Sequence, residues 1–299
     1  MNSELRIGLI GLDTSHAPAF TRLLNDASHP HHVAGGRVVA AYPGGSPDFG
    51  LSWNRVEAFA TQVRDEGNVA ILDSPAAVAK VCDAIILSSV DGRVHLKQFQ
   101  EIAPFGKPVF IDKPFATTSA DARTIVDLAV HHDIPLMSAS SLRYGQPLIE
   151  ALSTAESLVG ADCSGPMDLE DTQPGLFWYG IHSVEMLYAA LGRGCERLQA
   201  ISTPDAEFVT GLWEDGRIGT VRGNRTGNKS FGALLHAPKT ARFVDVANHP
   251  KPSYAGLLEH AIQMFHTRKA PIEIEETLEI VRFIEAANQS RETGEGVTL

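Results

Sequence analysis

Cysteine is scarce in this 299-residue chain: Cys82, Cys163 and Cys195 are all it has. So few and so scattered, they exclude a disulfide framework, and Cys82, at the head of an apolar run, reads as a small buried residue. Long hydrophobic runs are missing too, and no stretch approaches the ~20 apolar residues that a membrane-spanning helix needs. Positive charge is in deficit, with 25 Lys and Arg against 36 Asp and Glu and a formal net charge of −11. Phosphate backbones and anionic bilayers are held by clustered Lys and Arg, and no cluster is present, so nucleic acid and membrane are both disfavoured as partners. Metal-ligand spacing is also lacking. The histidines of "HPHHV", His29, His31 and His32, have no partnering carboxylate or cysteine in register, and the stretch reads as a solvated loop. Met1 to Arg6 leads straight into a strand, without a signal peptide's basic and apolar regions, so a reducing cytoplasm is the expected location.

What is present is a globular composition, 43% apolar and 20% charged, with length for one large domain or two ordinary ones. Up to about residue 140, short apolar runs alternate with segments of helical spacing. The runs are Ile7–Ile10, Val38–Ala41, Val69–Leu72, Ala84–Leu87, Val109–Ile111 and Leu136–Ser138. Ser74 before Pro75 marks a helix start by cap and by fixed φ, and Ser119 is placed to cap another. Apolar strands alternating with helices predict a doubly wound α/β domain over 1–140, its ligand crevice at the carboxyl ends of the strands.

From residue 141 to 299 the pattern changes. A helix over Pro147 to Ser157 leads into a polar, glycine-containing stretch, and a second helical run spans Ile181 to Leu191. Strand-like runs follow at Leu198–Ser202, Glu207–Trp213, Ile218–Val221 and Ala241–Val246, then two closing helices that could pack back on the first domain. Asp215-Gly216 is a tight-hairpin signal. This half is predicted to be an α+β domain with an open, largely antiparallel sheet. Phe208, Thr210 and Leu212 alternate with Val209, Gly211 and Trp213, so both sheet faces carry apolar groups. An apolar face left bare predicts a homo-oligomer, dimer or tetramer, built through this domain.

After its first strand the chain reads Gly11-Leu12-Asp13-Thr14-Ser15-His16, where a dinucleotide fingerprint would read G-x-G-x-x-G. Asp13 replaces the second glycine, placing a side chain and a negative charge where a pyrophosphate would approach, so Asp13→Gly is expected to tighten binding. Thr14 and Ser15 can donate to phosphate in compensation, and the plainer alternative is that Asp13 or Thr14 only caps the helix.

The stretch "GKPVFIDKPFA", Gly106 to Ala116, resembles the E-K-P motif of the glucose–fructose oxidoreductase and inositol dehydrogenase family (Gfo/Idh/MocA), with Asp112 in place of the Glu. "SSVDGRVHLKQ" is similar to that family's Thr-Pro-Asn…His loop, with Ser88, Ser89, Asp91 and His95 in it. "GLFWYGIHSVEML" resembles its G-x-H-x-x-D stretch through Gly180, His182 and Glu185, and the closing "AANQSRETGEGVTL" is also family-like. The resemblance implies a Rossmann domain carrying NAD or NADP, with Gly11, Asp13, Thr14, Ser15, Tyr42, Ser88, Ser89, Asp91, His95, Asp112, Lys113 and Arg143 as cofactor residues. Tyr42 stands where the family has an acid for the adenosine ribose, and Asp48 is a candidate substitute. No arginine follows to receive a 2′-phosphate, which favours NAD over NADP.

For chemistry the sequence offers Lys113, just past strand five, to polarise or deprotonate a substrate hydroxyl, and a cis bond at Pro114 is expected beside it. His182 is the second candidate; the family's Asp four residues earlier is Trp178 here, and Glu185, one helical turn on, is expected to orient the ring. Tyr179 offers another hydroxyl, and Trp178 and Tyr179 suit a stacking wall for a sugar or cyclitol ring. Arg143 in "RYGQ" either touches nicotinamide or substrate or forms an ion pair. Three readings stay open: an NAD(P)-dependent oxidoreductase on a sugar, cyclitol or related polyol, a non-catalytic ligand-binding relative, and a lyase or glycoside hydrolase that cycles NAD internally.

Overall fold

The computed structural model describes residues 4–299 and divides into two compact units. The first comprises residues up to Ala116, Ala120–Ala139 and Tyr254–Ile274. Its strands are β1 (Leu5–Ile10), β2 (Gly36–Tyr42), β3 (Ala70–Ile71), β4 (Ala84–Leu87), β5 (Val109–Asp112) and β6 (Leu136–Ala139). They form one sheet in the order β3-β2-β1-β4-β5-β6, parallel throughout. The helices between them are α1 (His16–Asn25), α2 (Gly50–Trp53), α3 (Val56–Gly67), α4 (Pro75–Val81), α5 (His95–Ile102) and α6 (Ser119–His131). β4, β5 and β6 are buried at every position, as apolar runs covered on both faces must be. α1 turns Ala17, Phe20, Thr21, Leu23 and Leu24 inward, and Phe20 or Leu24 each contributes roughly 1.5–3 kcal/mol by leaving water. Ser74 caps α4 as expected, its hydroxyl accepting from Ala77 N–H at 3.2 Å with Pro75 at the first helical position. Ser119 differs from expectation: it is the first residue of α6, and its N–H and hydroxyl both go to Glu285.

The second unit comprises 117–119, 140–253 and 275–299. It holds α7 (Gln146–Ser153), β7 (Gly160–Pro166), α8 (Gly180–Leu191), β8 (Cys195–Ser202), β9 (Ala206–Trp213), β10 (Ile218–Asn224), β11 (Gly232–Ala237), β12 (Thr240–Asp245) and, beyond α9 (Ser253–Thr267) of the first unit, most of α10 (Ile274–Thr293) and β13 (Val297–Thr298). The seven-stranded order is β12-β11-β7-β10-β9-β8-β13. All pairs are antiparallel except β10 with β7. The hairpin at Asp215-Gly216 forms, with Gly216 in the left-handed region at φ 86°. One sheet face packs on α8 and α10 through Tyr188, Trp213 and Phe283, whose rings meet edge-on or tilted at 5.7–6.5 Å. The opposite face is open and carries Ile201, Phe208, Ile218 and Phe243, of which Phe243 is 67% exposed.

Strands β7, β11 and β13 were not legible as strands in the sequence. β7, "GADCSGP", has the composition of a loop. It is a strand because β10 and β11 pair with it from either side, and Gly160 admits the neighbour: a Cβ there would lie 2.7 Å from the Ile218 carbonyl oxygen. No helix among the described residues is long and apolar enough to cross a membrane.

Candidate active site

Gly11 makes the turn after β1 with φ 93°, and a Cβ there would sit 2.2 Å from the Ser89 backbone nitrogen. Only glycine fits, because the loop after β4 closes directly on the turn. Ser88 Oγ donates to the Gly11 carbonyl at 2.8 Å, and Ser89 Oγ donates to Gln98 Oε1 at 2.9 Å. Asp13 does not face outward as expected. It is buried, its carboxylate accepting from Ser52 Oγ at 2.6 Å and from Val90 N–H at 3.0 Å. The side chain that breaks the glycine rule is therefore turned into the protein, where it ties α2 and the loop after β4 to the turn. Nor does Asp13 cap α1; Thr14 Oγ1 accepts from His16 N–H at 3.3 Å. Among the described residues the N–H groups of Thr14 and Ser15 have no hydrogen-bond partner, and Ser15 is exposed.

This changes the expected behaviour of Asp13. Asp13→Gly leaves the Ser52 hydroxyl and the Val90 N–H unsatisfied at a buried position, each costing about 1–3 kcal/mol. Burial raises the Asp13 carboxyl above its ordinary value of 3.8, against the lowering effect of those two hydrogen bonds. A carboxyl whose folded pKa is raised stabilises the fold more in its protonated form, so that contribution is lost as pH climbs from about 3.8 through the folded value. Asp13→Asn retains an acceptor for Val90 and a donor for Ser52. Urea midpoints at pH 5 and 7 are expected to fall sharply for the glycine variant. The asparagine variant should stay close to the parent with a flatter pH dependence.

At the carboxyl end of β5, Asp112 is buried, its two oxygens engaged by His16 Nδ1 and by the Lys113 backbone N–H at 2.9 Å. Burial pushes this carboxyl up, but the His16 and Lys113 charges outweigh it and hold the group below its ordinary value. Lys113 is half-buried and precedes a cis bond to Pro114. Burial lowers its ammonium pKa; Asp112 pulls it up and Arg55 presses it further down, with a net fall. His95, expected at the cofactor, has no exposed surface. Its ring nitrogens face the carbonyl oxygens of Ser89 at 2.8 Å and Phe115 at 3.2 Å, so it ties the β4 loop to the segment after β5.

Tyr42 ends β2 half-buried, and the loop that follows is anchored by acid–base contacts. Ser46 Oγ donates to Asp91 at 2.7 Å, while Arg93 bonds both Asp91 and Asp48. Sequence reading missed Arg93, because it arrives from the loop after β4, some fifty residues beyond the place searched. It reaches the β2 loop with two carboxylates already on it.

In the second unit, His182 lies in the first turn of α8, and its Nδ1 is 2.6 Å from Ser140 Oγ. Its ring is flanked by Tyr179 at 5.5 Å and Phe231 at 5.6 Å, and Trp178 stands edge-on to Tyr179 at 6.1 Å. Gly165 is required by this cluster, since a Cβ there would lie 2.4 Å from the Phe231 ring. Glu185 does not orient the imidazole directly. It pairs with Arg143 Nε at 2.8 Å and also takes the Ser140 N–H, so it holds the residue that holds His182. Burial raises the Glu185 carboxyl even against Arg143. Arg143 spends its other edge on Glu276 at 2.6 Å, so it is ion-paired on both sides. Ser140 and Phe231 carried no sequence signal: a serine after a strand and a phenylalanine in a polar loop are common.

The turn's open N–H groups and its inward-facing Asp13 fit a dinucleotide pyrophosphate at the α1 N-terminus. A profile of the GFO_IDH_MocA oxidoreductases, described as an NAD-binding Rossmann fold, matches residues 5–140. Over residues 5–140 the chain is thus similar to the NAD-binding domain of the Gfo/Idh/MocA oxidoreductases. The oxidoreductase-named protein YceM of Salmonella typhimurium is 28% identical over 175 residues, 56% of this chain and 51% of that protein, so the chain spans about half the length of this curated relative. Among solved structures, apo scyllo-inositol dehydrogenase of Lactobacillus casei superposes with a TM-score of 0.81 at 14% identity, covering 100% of this chain and 99% of that one. The myo-inositol dehydrogenase of the same organism, in complex with NAD(H) and myo-inositol, gives 0.79 at 14%, covering 99% and 97%.

Proposed function

We propose that the chain is an NAD-linked oxidoreductase acting on a hydroxyl of a sugar, cyclitol or related polyol. The observation that carries this reading is Lys113, held at a strand's carboxyl end by a buried acid and brought down in pKa by burial. When bound, the nicotinamide supplies the hydride acceptor. Thr14 and Ser15 N–H groups hold the pyrophosphate, with Tyr42 and Asp48 toward the adenosine. The motifs assign the reacting oxygen to Lys113 and the hydroxyl proton to His182. Trp178, Tyr179 and Phe231 offer flat apolar faces to a ring, in keeping with the myo-inositol carried by the neighbouring dehydrogenase. Two carboxylates on Arg93 leave no net positive charge for a 2′-phosphate, which supports NAD over NADP. Titration with NADH and NADPH, followed by nicotinamide fluorescence, is expected to give the tighter curve with NADH. Tighter binding of NADPH, or no binding of either, overturns the assignment.

The open face of the second unit's sheet supports a homo-oligomer formed through it. Light scattering at micromolar concentration is expected to give a dimer or tetramer. Phe243→Asp with Phe208→Asp should shift it to monomer, because each places a charge on the exposed apolar face. A parent that is strictly monomeric sinks this expectation.

A further inference from the structure

Two positions depart from the family pattern in the first unit: His16, where the fingerprint has its third glycine, and Asp112, where the E-K-P motif has its glutamate. They lie 96 residues apart and touch, His16 Nδ1 bonding Asp112 Oδ2. We propose that His16 and Asp112 are one compensated pair, and that His16 is a positioning residue for Lys113 acting through Asp112.

The argument is geometric. An aspartate is one methylene shorter than a glutamate, so the carboxylate at 112 stops short of where the longer side chain would reach. A glycine at position 16 presents nothing to meet it. The imidazole at the start of α1 closes that distance, and only then is the buried carboxylate bonded at both oxygens, by His16 on one and by Lys113 N–H on the other. The ring is itself fixed, tilted against Tyr254 at 4.8 Å and Phe20 at 5.5 Å, and is 12% exposed. Tyr254 comes from α9, so the imidazole that meets the carboxylate is itself held between α1 and α9. What that carboxylate fixes is the backbone of Lys113, the first residue after β5. Leaving Asp112 half-bonded at such a position is costly, and the exit of the chain from β5 is the part free to respond.

The assignment of a task to Lys113 rests on the oxidoreductase reading, so the test carries a readout that needs no turnover. Four proteins form a cycle: the parent, His16→Gly, Asp112→Glu and the double variant that restores the family pattern at both positions. His16→Asn is the conservative control, since its amide N–H stands near the place of Nδ1. The first readout is the melting temperature without cofactor. The second is the pH dependence of Lys113 acylation by an amine-reactive reagent, followed by peptide mass spectrometry. The charges acting on Lys113 include Asp112 and Arg55. Removing the imidazole from Asp112 strengthens that carboxylate's hold on the ammonium, so His16→Gly should slow labelling at neutral pH severalfold, and His16→Asn should restore it. Each single variant is expected to lower the melting temperature, and the double variant to recover most of the loss. Additive effects of the two changes, or a labelling profile for His16→Gly that matches the parent, overturns the proposal. If His16→Gly does not fold, His16→Ala, which removes the imidazole without adding backbone freedom, takes its place in the cycle. Coupling seen without hydride transfer in any variant upholds the pair and removes the oxidoreductase reading instead.

Discussion

Lys113→Ala is expected to abolish measurable hydride transfer, a loss of more than about 10³-fold, while NADH still binds and the protein still melts cooperatively. Several contributions vanish together. On the proposed reading the ammonium polarises the reacting oxygen in a site of reduced dielectric, where such a charge is worth far more than in water. Its position also aligns the hydroxyl, and removing an aligned group costs beyond the interaction itself. Because burial has lowered the Lys113 pKa from 10.5, the basic limb of the pH–rate profile should lie below that of a free lysine. Since the ammonium is the working form and His182 is assigned the proton, the rate should fall as pH rises through the lowered value, and a rise there would overturn this division of roles. Lys113→Arg should not rescue, since a guanidinium stays charged and is broader than an ammonium. Single-turnover transfer with a polyol found by screening makes the measurement, and nicotinamide fluorescence checks binding. Near-normal rates in Lys113→Ala end the assignment at its strongest motif.

The first unit was legible because its fold is written in local pattern. β4 coincides with the run Ala84–Leu87, and the other strands extend the apolar runs by one to three residues or, at β3, shorten them. The second unit was legible only in part. β8, β9 and β10 alternate in the manner of half-buried strands, whereas β7 draws its conformation from partners more than fifty residues away. The same division runs through the site. Lys113 and His182 came from motif and position. The direction of each side chain did not, because it depends on which neighbour the fold supplies. Asp13 found Ser52 and Val90, Glu185 found Arg143, and Arg93 reached Asp48 across 45 residues. The first two pairings satisfy buried carboxyl groups, the third lies at the surface, and no one-dimensional pattern encodes any of them.

His182→Ala is expected to cost roughly 10²–10⁴-fold in the rate of hydride transfer, the range for loss of a general base. On the proposed reading, the hydrogen bond to Ser140 sets which nitrogen is left to act as the base. Ser140 Oγ accepts from Leu142 N–H at 3.2 Å and lies 2.6 Å from His182 Nδ1, and where it accepts the Nδ1–H the ring is held in one tautomer. In that tautomer Nε2 carries the lone pair and can accept the substrate proton. Ser140→Ala removes the partner that selects it, so the rate should fall about tenfold with little change in KM. Glu185→Gln should act less on the rate than on stability, since it weakens Arg143's pairing while an amide oxygen can still take the Ser140 N–H. The order His182→Ala, Ser140→Ala, Glu185→Gln therefore tests a chain of support running from α8 through Ser140 to the ring. A silent His182→Ala moves the proton acceptor to Tyr179, whose ring lies 5.5 Å from the imidazole, and Tyr179→Phe would then carry the loss.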